Sequence, residues 1–363
     1  MGVFKRVKKR NLYSSVVAIA LLLLVCFLFR NCISPLWETI VPKILIFCIA
    51  ALSLNIICGC LGEFVLGHGG FLLIGYTVSV IVGLAIHDMI GADVYGDIAY
   101  NVSEGLKPVG YLLIIGDILV AAVVTGGIGL VVGLIALGRL KGDYLAIVTL
   151  GISLIFVNIV EQVPFLGGTT GKGVVTKLGG NPFIYAIVLI ASLFLILTFM
   201  KSRFGRSILA CRDDNIAAEA CGVDVKKYKV LAFTFAAFLA GLAGGLYSHY
   251  ITLQPSKFGI DLSIELLIIV VLGGLGSLTG SILSTIIIVS YTLWFSQMSW
   301  VPDFFKSNPK IIYGIILIAI MLFRPKGILG VNEFSWDWFY SKLKSIWSKI
   351  VNIFKKKTSK EVK

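Results

Sequence analysis

Apolar runs of similar length, separated by short polar connections, set the rhythm of this chain. They fall near 12–29, 40–60, 64–86, 110–137, 144–162, 183–200, 229–252, 262–273, 279–296 and 311–323. A helix needs about 20 apolar residues to cross roughly 30 Å of hydrocarbon, and several of these runs sit at the short end of that range. Backbone N–H and C=O groups find no partner in lipid, so a segment that spans it folds as a helix. The expected architecture is all-α, a polytopic integral membrane protein of about ten membrane segments, some of them re-entrant or broken.

The polar connections assign the sides. With the basic stretch Met1–Arg10 inside, alternation places Asp88, Asp93, Asp97 and Glu104 outside. It places Arg139 with Lys141, the charged stretch Met200–Val230 and the tail Arg324–Lys363 inside. Lysine and arginine accumulate on the cytoplasmic face of membrane proteins, so both termini are expected to be cytoplasmic. The run 12–29 is longer than a usual signal-peptide core and has no A-x-A-like cleavage site after it, so it reads as a retained first span. Leu272–Gly280, LGGLGSLTG, divides the region 262–296 into two apolar halves. One long span there would export the lysine-rich tail, so two short helices with a glycine break are expected, the bare backbone being covered by protein or lining a cavity. A second glycine-rich interruption, around Gly67, lies in the other half of the chain, as in transporters built from inverted halves.

Composition narrows the class further. Hydrophobic residues make up 58% of the 363 residues and charged ones 14%, with a mean hydropathy of +0.96. A soluble domain carries roughly 25% charge. The formal charge of +13 lies mostly in the termini and the 200–230 stretch. Anionic lipid and a membrane potential account for it without nucleic acid. The seven cysteines, Cys26, Cys32, Cys48, Cys58, Cys60, Cys211 and Cys221, are odd in number and lie mostly in apolar runs. They read as free thiols and small hydrophobes. Cys58 and Cys60 lack the two-residue spacer and partner pair of a zinc site, so no metal site is expected.

Met200–Val230 is the strongest local signal. Lys201, Arg203, Arg206, Arg212, Lys226, Lys227 and Lys229 face Asp213, Asp214, Glu219 and Asp224 in an insert far longer than the other connections. Asp213 and Asp214 suit the start of a short helix, Ile216–Cys221 continues it with small residues, and Gly222 suits its end. A slim, exposed helix of this kind fits a groove on a cytosolic partner, whereas a merely solvated hairpin leaves its length unexplained. After residue 330, Trp336, Trp338, Phe339, Trp347 and Phe354 interleave with Lys342, Lys344, Lys349 and Lys355 at helical spacing. That pattern suits an interfacial helix on an anionic leaflet, so 331–363 is a basic amphipathic cytoplasmic tail and 1–330 the membrane domain.

Catalytic chemistry has little to stand on. The three histidines, His68, His87 and His249, are far apart, and the chain has no H-E-x-x-H, Walker lysine motif or nucleophile elbow. Leu166–Gly173, LGGTTGKG, mimics a phosphate cradle but lacks Lys-Ser or Lys-Thr at the required offset, and an outer loop or re-entrant turn suits it better. His68 and Glu63 lie among glycines inside an apolar run, where ionisable groups face a cavity or a partner. They are candidates for a gate, with helix bridging as the plainer role for His68. Asn55, Asn158, Glu161 and Gln162 suit bonds between neighbouring helices. Glu265, one turn after Asp261, suits a helix N-terminus.

A family resemblance gathers these features. Ser202-Arg203-Phe204-Gly205-Arg206, Arg212-Asp213, Asn215–Ala220, Gly222 and Tyr228-Lys229 together resemble the cytoplasmic coupling loop of the LivM-type permease of branched-chain amino-acid ABC importers. Ala51–Asn55 leading to Gly62 and Gly67-His68-Gly69, then Gly142–Leu150, Ser263–Leu267, Val271–Ser277 and Arg324–Gly327 agree with that family in order. The resemblance covers about Leu12–Gly330. Glu63 and Val65 depart from it, standing where the family usually has Gln and Ser.

The resemblance implies a non-catalytic permease subunit that carries leucine, isoleucine or valine through the cell (inner) membrane. It implies a LivH-like second permease, two cytosolic ABC ATPase subunits that use ATP and Mg, and an extracytoplasmic solute-binding protein, with no cofactor bound by this chain. The ATPase-coupling loop, 201–229, would use Arg203, Gly205, Arg206, Arg212, Asp213, Ala217, Ala218, Glu219, Gly222, Tyr228 and Lys229. Candidates for the pathway or gate are Asn55, Glu63, His68, Tyr144, Thr149, Glu265, Gly273 and Gly274. Urea, amides and other amino acids remain alternative solutes, and a membrane-embedded enzyme using His68, Glu63 or Glu265 is the alternative from another class.

Overall fold

The computed structural model describes residues 35–90, 107–137, 142–173, 182–252 and 254–295, with single positions at 314, 318, 322 and 327. The first apolar run, the acidic connection between 91 and 106, the Arg139–Lys141 connection, most of the last run and the tail 331–363 lie outside the described residues. The described residues form helices joined by loops, with no strand among them. Ten α-helices follow in order: α1 Pro35–Asn55, α2 His68–Ile90, α3 Lys107–Ala136, α4 Asp143–Glu161, α5 Pro182–Lys201, α6 Arg203–Asp213, α7 Asn215–Ala220, α8 Val225–Tyr250, α9 Ile260–Gly273 and α10 Leu278–Phe295.

Among the described residues six segments are long and apolar enough to cross a membrane: Ile40–Leu61, His68–Ala85, Leu113–Ala136, Asp143–Glu161, Pro182–Lys201 and Val225–Tyr250. Their environments differ. Helix α1 is apolar all round and its spanning window is 94% buried, the mark of a central helix. The window of α4 is only 28% buried, and Val123, Ile135, Ile147 and Phe194 on α3, α4 and α5 point their side chains out of the bundle. These outer faces have the apolar character that lipid or a second membrane subunit accepts.

Small residues set the closest helix approaches. Helix α8 lies against α2 and α3 through Gly241 and Gly244; a methyl group on Gly244 would fall 2.1 Å from the Leu72 carbonyl oxygen, and one on Gly241 within 2.9 Å of Ala122 and Thr125. Dispersion and close backbone contact, which hold helices together where lipid removes the hydrophobic drive, depend on such sites.

Two interruptions break the helical pattern. Helix α1 runs into a π-helical turn, Ile56–Leu61, and ends at Gly62, whose φ of +81° is left-handed. Six residues of loop then lead to α2, so the second span starts at His68 and not at 64. The other break, after Gly273, reverses the chain: Ser284 Oγ donates to the Ile269 carbonyl at 2.6 Å, and Gly280 lies against Gly273. Helices α9 and α10 are thus two antiparallel halves and not one kinked span. Gly327, from the last recognisable motif, packs its backbone on Gly274 at this break.

Candidate functional site

The charged insert folds as a two-helix hairpin between α5 and α8, each turn of it specified by a polar side chain. Ser202 caps α6, accepting from Gly205 N at 3.4 Å. Asp214 caps α7, its Oδ1 accepting from Ile216 N at 2.8 Å and Ala217 N at 3.1 Å. Asp224 caps α8 by accepting from Lys227 N at 3.1 Å. Such caps satisfy the first, unpartnered N–H groups of a helix. Gly222, at φ +81°, ends α7; Val223 N donates to the Ala218 carbonyl and Gly222 N to the Glu219 carbonyl, the paired bonds of a Schellman stop. The sequence pattern predicts one helix opened by Asp213 and Asp214; the structure has two, with Asp213 closing the first and Asp214 alone capping the second.

A small separate core holds the hairpin together: Cys211, Ala218 and Val225, covered by Val223 and Tyr228. Burial pushes the Cys211 thiol above its ordinary pKa, and nearby Lys229 opposes the shift. Phe204 lies against Tyr228 with ring centres 6.3 Å apart. Gly205 has no room for a side chain, since a Cβ would sit 2.4 Å from Met200 Cα. Outward, α7 presents Ile216 at 81% exposure beside exposed Ala217 and Glu219, while Arg203 and Arg206 are exposed on α6. An apolar side chain left so open on a six-residue helix, in a rim of charge, has the composition of a docking surface.

The hairpin connects inward at two places. Lys229, near the start of α8, pairs with Glu63 from the loop after the π turn at 2.5 Å, both side chains being largely buried. Arg212 Nη1 donates to the Gly59 carbonyl within the π turn at 3.0 Å, while Asp213 Oδ1 accepts from Arg212 Nε and Nη2 at 3.2 and 3.0 Å.

The two helix breaks meet in the interior, and Asn55 joins them. Fully buried at the end of α1, its Nδ2 donates to the Ser277 carbonyl and Ser281 Oγ, each at 3.0 Å, and its Oδ1 accepts from Gly276 N at 2.8 Å. Gly59 fits against Gly276 so tightly that a Cβ would lie 2.2 Å from Gly276 N. The neighbouring His68 bridges helices: its Nε2 lies 2.6 Å from Ser53 Oγ. Ser53 Oγ also lies 2.7 Å from the Ala50 carbonyl oxygen. Gly67 packs on the Thr149 carbonyl, and Gly69 N donates to Ser263 Oγ at 2.9 Å.

The other predicted positions scatter. Tyr144 is 73% exposed on α4, Thr149 is buried and bonded to its own helix, and Glu265 is half-buried on α9. Gly273 lines the antiparallel contact with Gly280, while Gly274, at φ +110°, makes the reversal. Asn158 does not bridge helices; its Nδ2 donates to the Leu154 carbonyl one turn back.

One buried group went unread in the sequence. Asp117 lies in the apolar run of α3, fully buried, with Oδ2 accepting from Ser79 Oγ at 2.9 Å and paired with His249 Nε2 at 2.9 Å. Ser79 Oγ also lies 2.7 Å from Ser248 Oγ, so the cluster ties α2, α3 and α8. The signal was a single acid inside a spanning run, which alone marks a position of interest. Among the described residues no three His, Cys, Asp or Glu side chains are grouped to hold a metal ion, and no two of Cys48, Cys58, Cys60, Cys211 and Cys221 are joined in a disulfide.

Broken helices meeting inside a bundle of membrane-spanning helices, with a capped charged hairpin projecting from it, define a multi-pass membrane protein of the transport type. Residues 36–321 match the family of branched-chain amino acid transport system permease components, and the chain belongs to that family. It is 29% identical over 325 residues to the high-affinity branched-chain amino acid transport system permease protein LivM of Escherichia coli (strain K12), covering 80% of this chain and 69% of that protein. It is 25% identical over 328 residues to the "Probable branched-chain amino acid transport permease protein LivM" of Methanocaldococcus jannaschii, covering 78% of this chain and 90% of that one. The "High-affinity branched-chain amino acid transport system permease protein LivH" of Salmonella typhimurium is 27% identical over 151 residues, 41% of this chain and 47% of its own length. No solved structure matches the chain.

Proposed function

We propose that this chain is one permease subunit of an ATP-binding-cassette importer that carries branched-chain amino acids across the cell membrane. The family match over residues 36–321 carries this reading. Its working parts are a LivH-like second permease, two cytosolic ATPases that bind and hydrolyse ATP with Mg, and an extracytoplasmic binding protein that selects the solute. About ten segments cross or enter the membrane with both termini cytoplasmic, and the basic tail 331–363 rests on the inner leaflet. The α6–α7 hairpin faces the cytosol, where Ile216, Ala217 and Glu219 meet the ATPases and Arg203 and Arg206 rim the contact. The chain itself performs no chemistry. ATP binding draws the ATPases together, the hairpin moves with them, and the bundle exchanges an outward opening for an inward one. A ligand or partner shifts such an equilibrium only through contacts that differ between its two states, and the hairpin is where those contacts are made.

Co-purification of the tagged chain from mild detergent, followed by uptake of labelled leucine into vesicles, tests the reading. Two ATPases and a second permease in the complex, with ATP-dependent leucine uptake, are the expected results. Uptake of urea in place of leucine would reassign the solute, and a chain that purifies alone and has activity alone would overturn the permease reading.

A further inference from the structure

Resting on that reading, we propose that Arg212 is the positioning residue that transmits hairpin movement to the interior helix break. Helix α1 and its π turn end at Leu61, and a helix leaves its last carbonyls without partners. Among these is the Gly59 carbonyl, and the Arg212 guanidinium fills it from the hairpin at 3.0 Å. A cation is favoured at a helix C-terminus, so Arg212 acts as a cap supplied from another element. The same guanidinium is oriented by Asp213, and its methylenes cover Gly62 at the left-handed turn, where a Cβ would lie 2.8 Å from Cγ. A lysine has no fork with which to hold Asp213 and Gly59 together.

From Gly59 the contact continues inward without a gap. Gly59 rests on Gly276 backbone to backbone, Gly276 N donates to Asn55, and Asn55 holds Ser277 and Ser281 across the break between α9 and α10. Every link is a hydrogen bond or a glycine contact, and the side chains that carry it are those of Arg212 and of the buried Asn55. π turns recur at functional sites in helices, and here the turn is what faces the Gly59 carbonyl toward the hairpin. A displacement of α6 therefore acts on the reversal at Gly274 through Arg212, Gly59, Gly276 and Asn55. The Glu63–Lys229 pair runs parallel to it and holds the start of α8 in register.

The test measures leucine uptake per ATP hydrolysed by the complete complex in proteoliposomes, for the wild type and for Arg212→Gln, Arg212→Lys and Asn55→Asp. Arg212→Gln and Asn55→Asp should leave the ATPases bound and hydrolysing while uptake per ATP falls about 5- to 150-fold, the span of ordinary coupling. Arg212→Lys should fall between wild type and Arg212→Gln. An unchanged ratio in both Arg212→Gln and Asn55→Asp, or loss of hydrolysis and uptake in equal proportion, would overturn the linkage. If one variant fails to assemble, the other decides. Failure of the wild-type chain to recruit ATPases would instead reject the permease reading, a result visible before any variant is made.

Discussion

Asn55 has three hydrogen bonds, all to partners more than 200 positions away, in the turn at Gly276 and Ser277 and at Ser281 in the first turn of α10. Replacing it by leucine strands the buried Gly276 N–H, a loss of about 1–3 kcal/mol for a buried polar group without a partner. A lowered melting temperature in detergent is the expected outcome, and an unchanged one would mean that the break does not depend on Asn55. The Glu63–Lys229 pair makes a sharper case. Both side chains are largely buried, so removing one charge leaves the other uncompensated, at a cost of about 3 kcal/mol. Glu63→Leu or Lys229→Met alone should destabilise strongly, and the double variant should recover most of the loss, as read by a double-mutant cycle on thermal unfolding. Sequence reasoning marked each of these residues but assigned Glu63 to a pathway and Lys229 to the hairpin. Nothing in a one-dimensional pattern pairs two charges 166 positions apart.

The hairpin was the most legible element, because capping and stop signals are local chemistry: Asp214, Gly222 and Asp224 act within three or four residues of themselves. Its two cysteines give it a measurable fingerprint. Cys221 is exposed, whereas Cys211 is 1% exposed in the small core and its raised pKa reduces the reactive thiolate near neutral pH. Brief alkylation followed by peptide mass spectrometry should modify Cys221 first; equal labelling would mean that the Cys211–Ala218–Val225 core is open in solution. Ile216→Asp places charge where an apolar contact is proposed and should weaken ATPase association without lowering the thermal stability of the permease, since Ile216 is 81% exposed. Glu219→Arg should act in the same direction, and full association in both variants would move the docking surface elsewhere. The helix breaks were legible as places, from their glycines, but not as geometry. At Gly274 the glycines and the lysine-rich tail pointed to two short helices, and the contacts of Ser284 with Ile269 and of Gly280 with Gly273 show that the two run antiparallel.

Across the whole bundle, burial divides helices that composition makes equal. Helices α1 and α4 are comparably apolar, yet the first is enclosed and the second lies at the rim. Amide exchange in lipid nanodiscs should therefore be slowest along Ile49–Leu54 and measurably faster along α4, while equal rates would contradict this arrangement. Asp117 shows the limit of reading at this level. A lone acid among apolar residues announces itself, but its partners Ser79, Ser248 and His249 come from two other helices, brought together by the small residues of α2, α3 and α8. Hydrophobic run length, cap residues and glycine breaks are local quantities, and they settled the helical membrane class, the short helix that stops at Gly222 and the positions of the interruptions before any contact was known. Which helix is central, that the two breaks meet through Asn55, and that the hairpin reaches them through Arg212 and Lys229 were decided by tertiary packing alone, because membrane helices that are apolar on every side carry no amphipathic stripe to say which face turns inward.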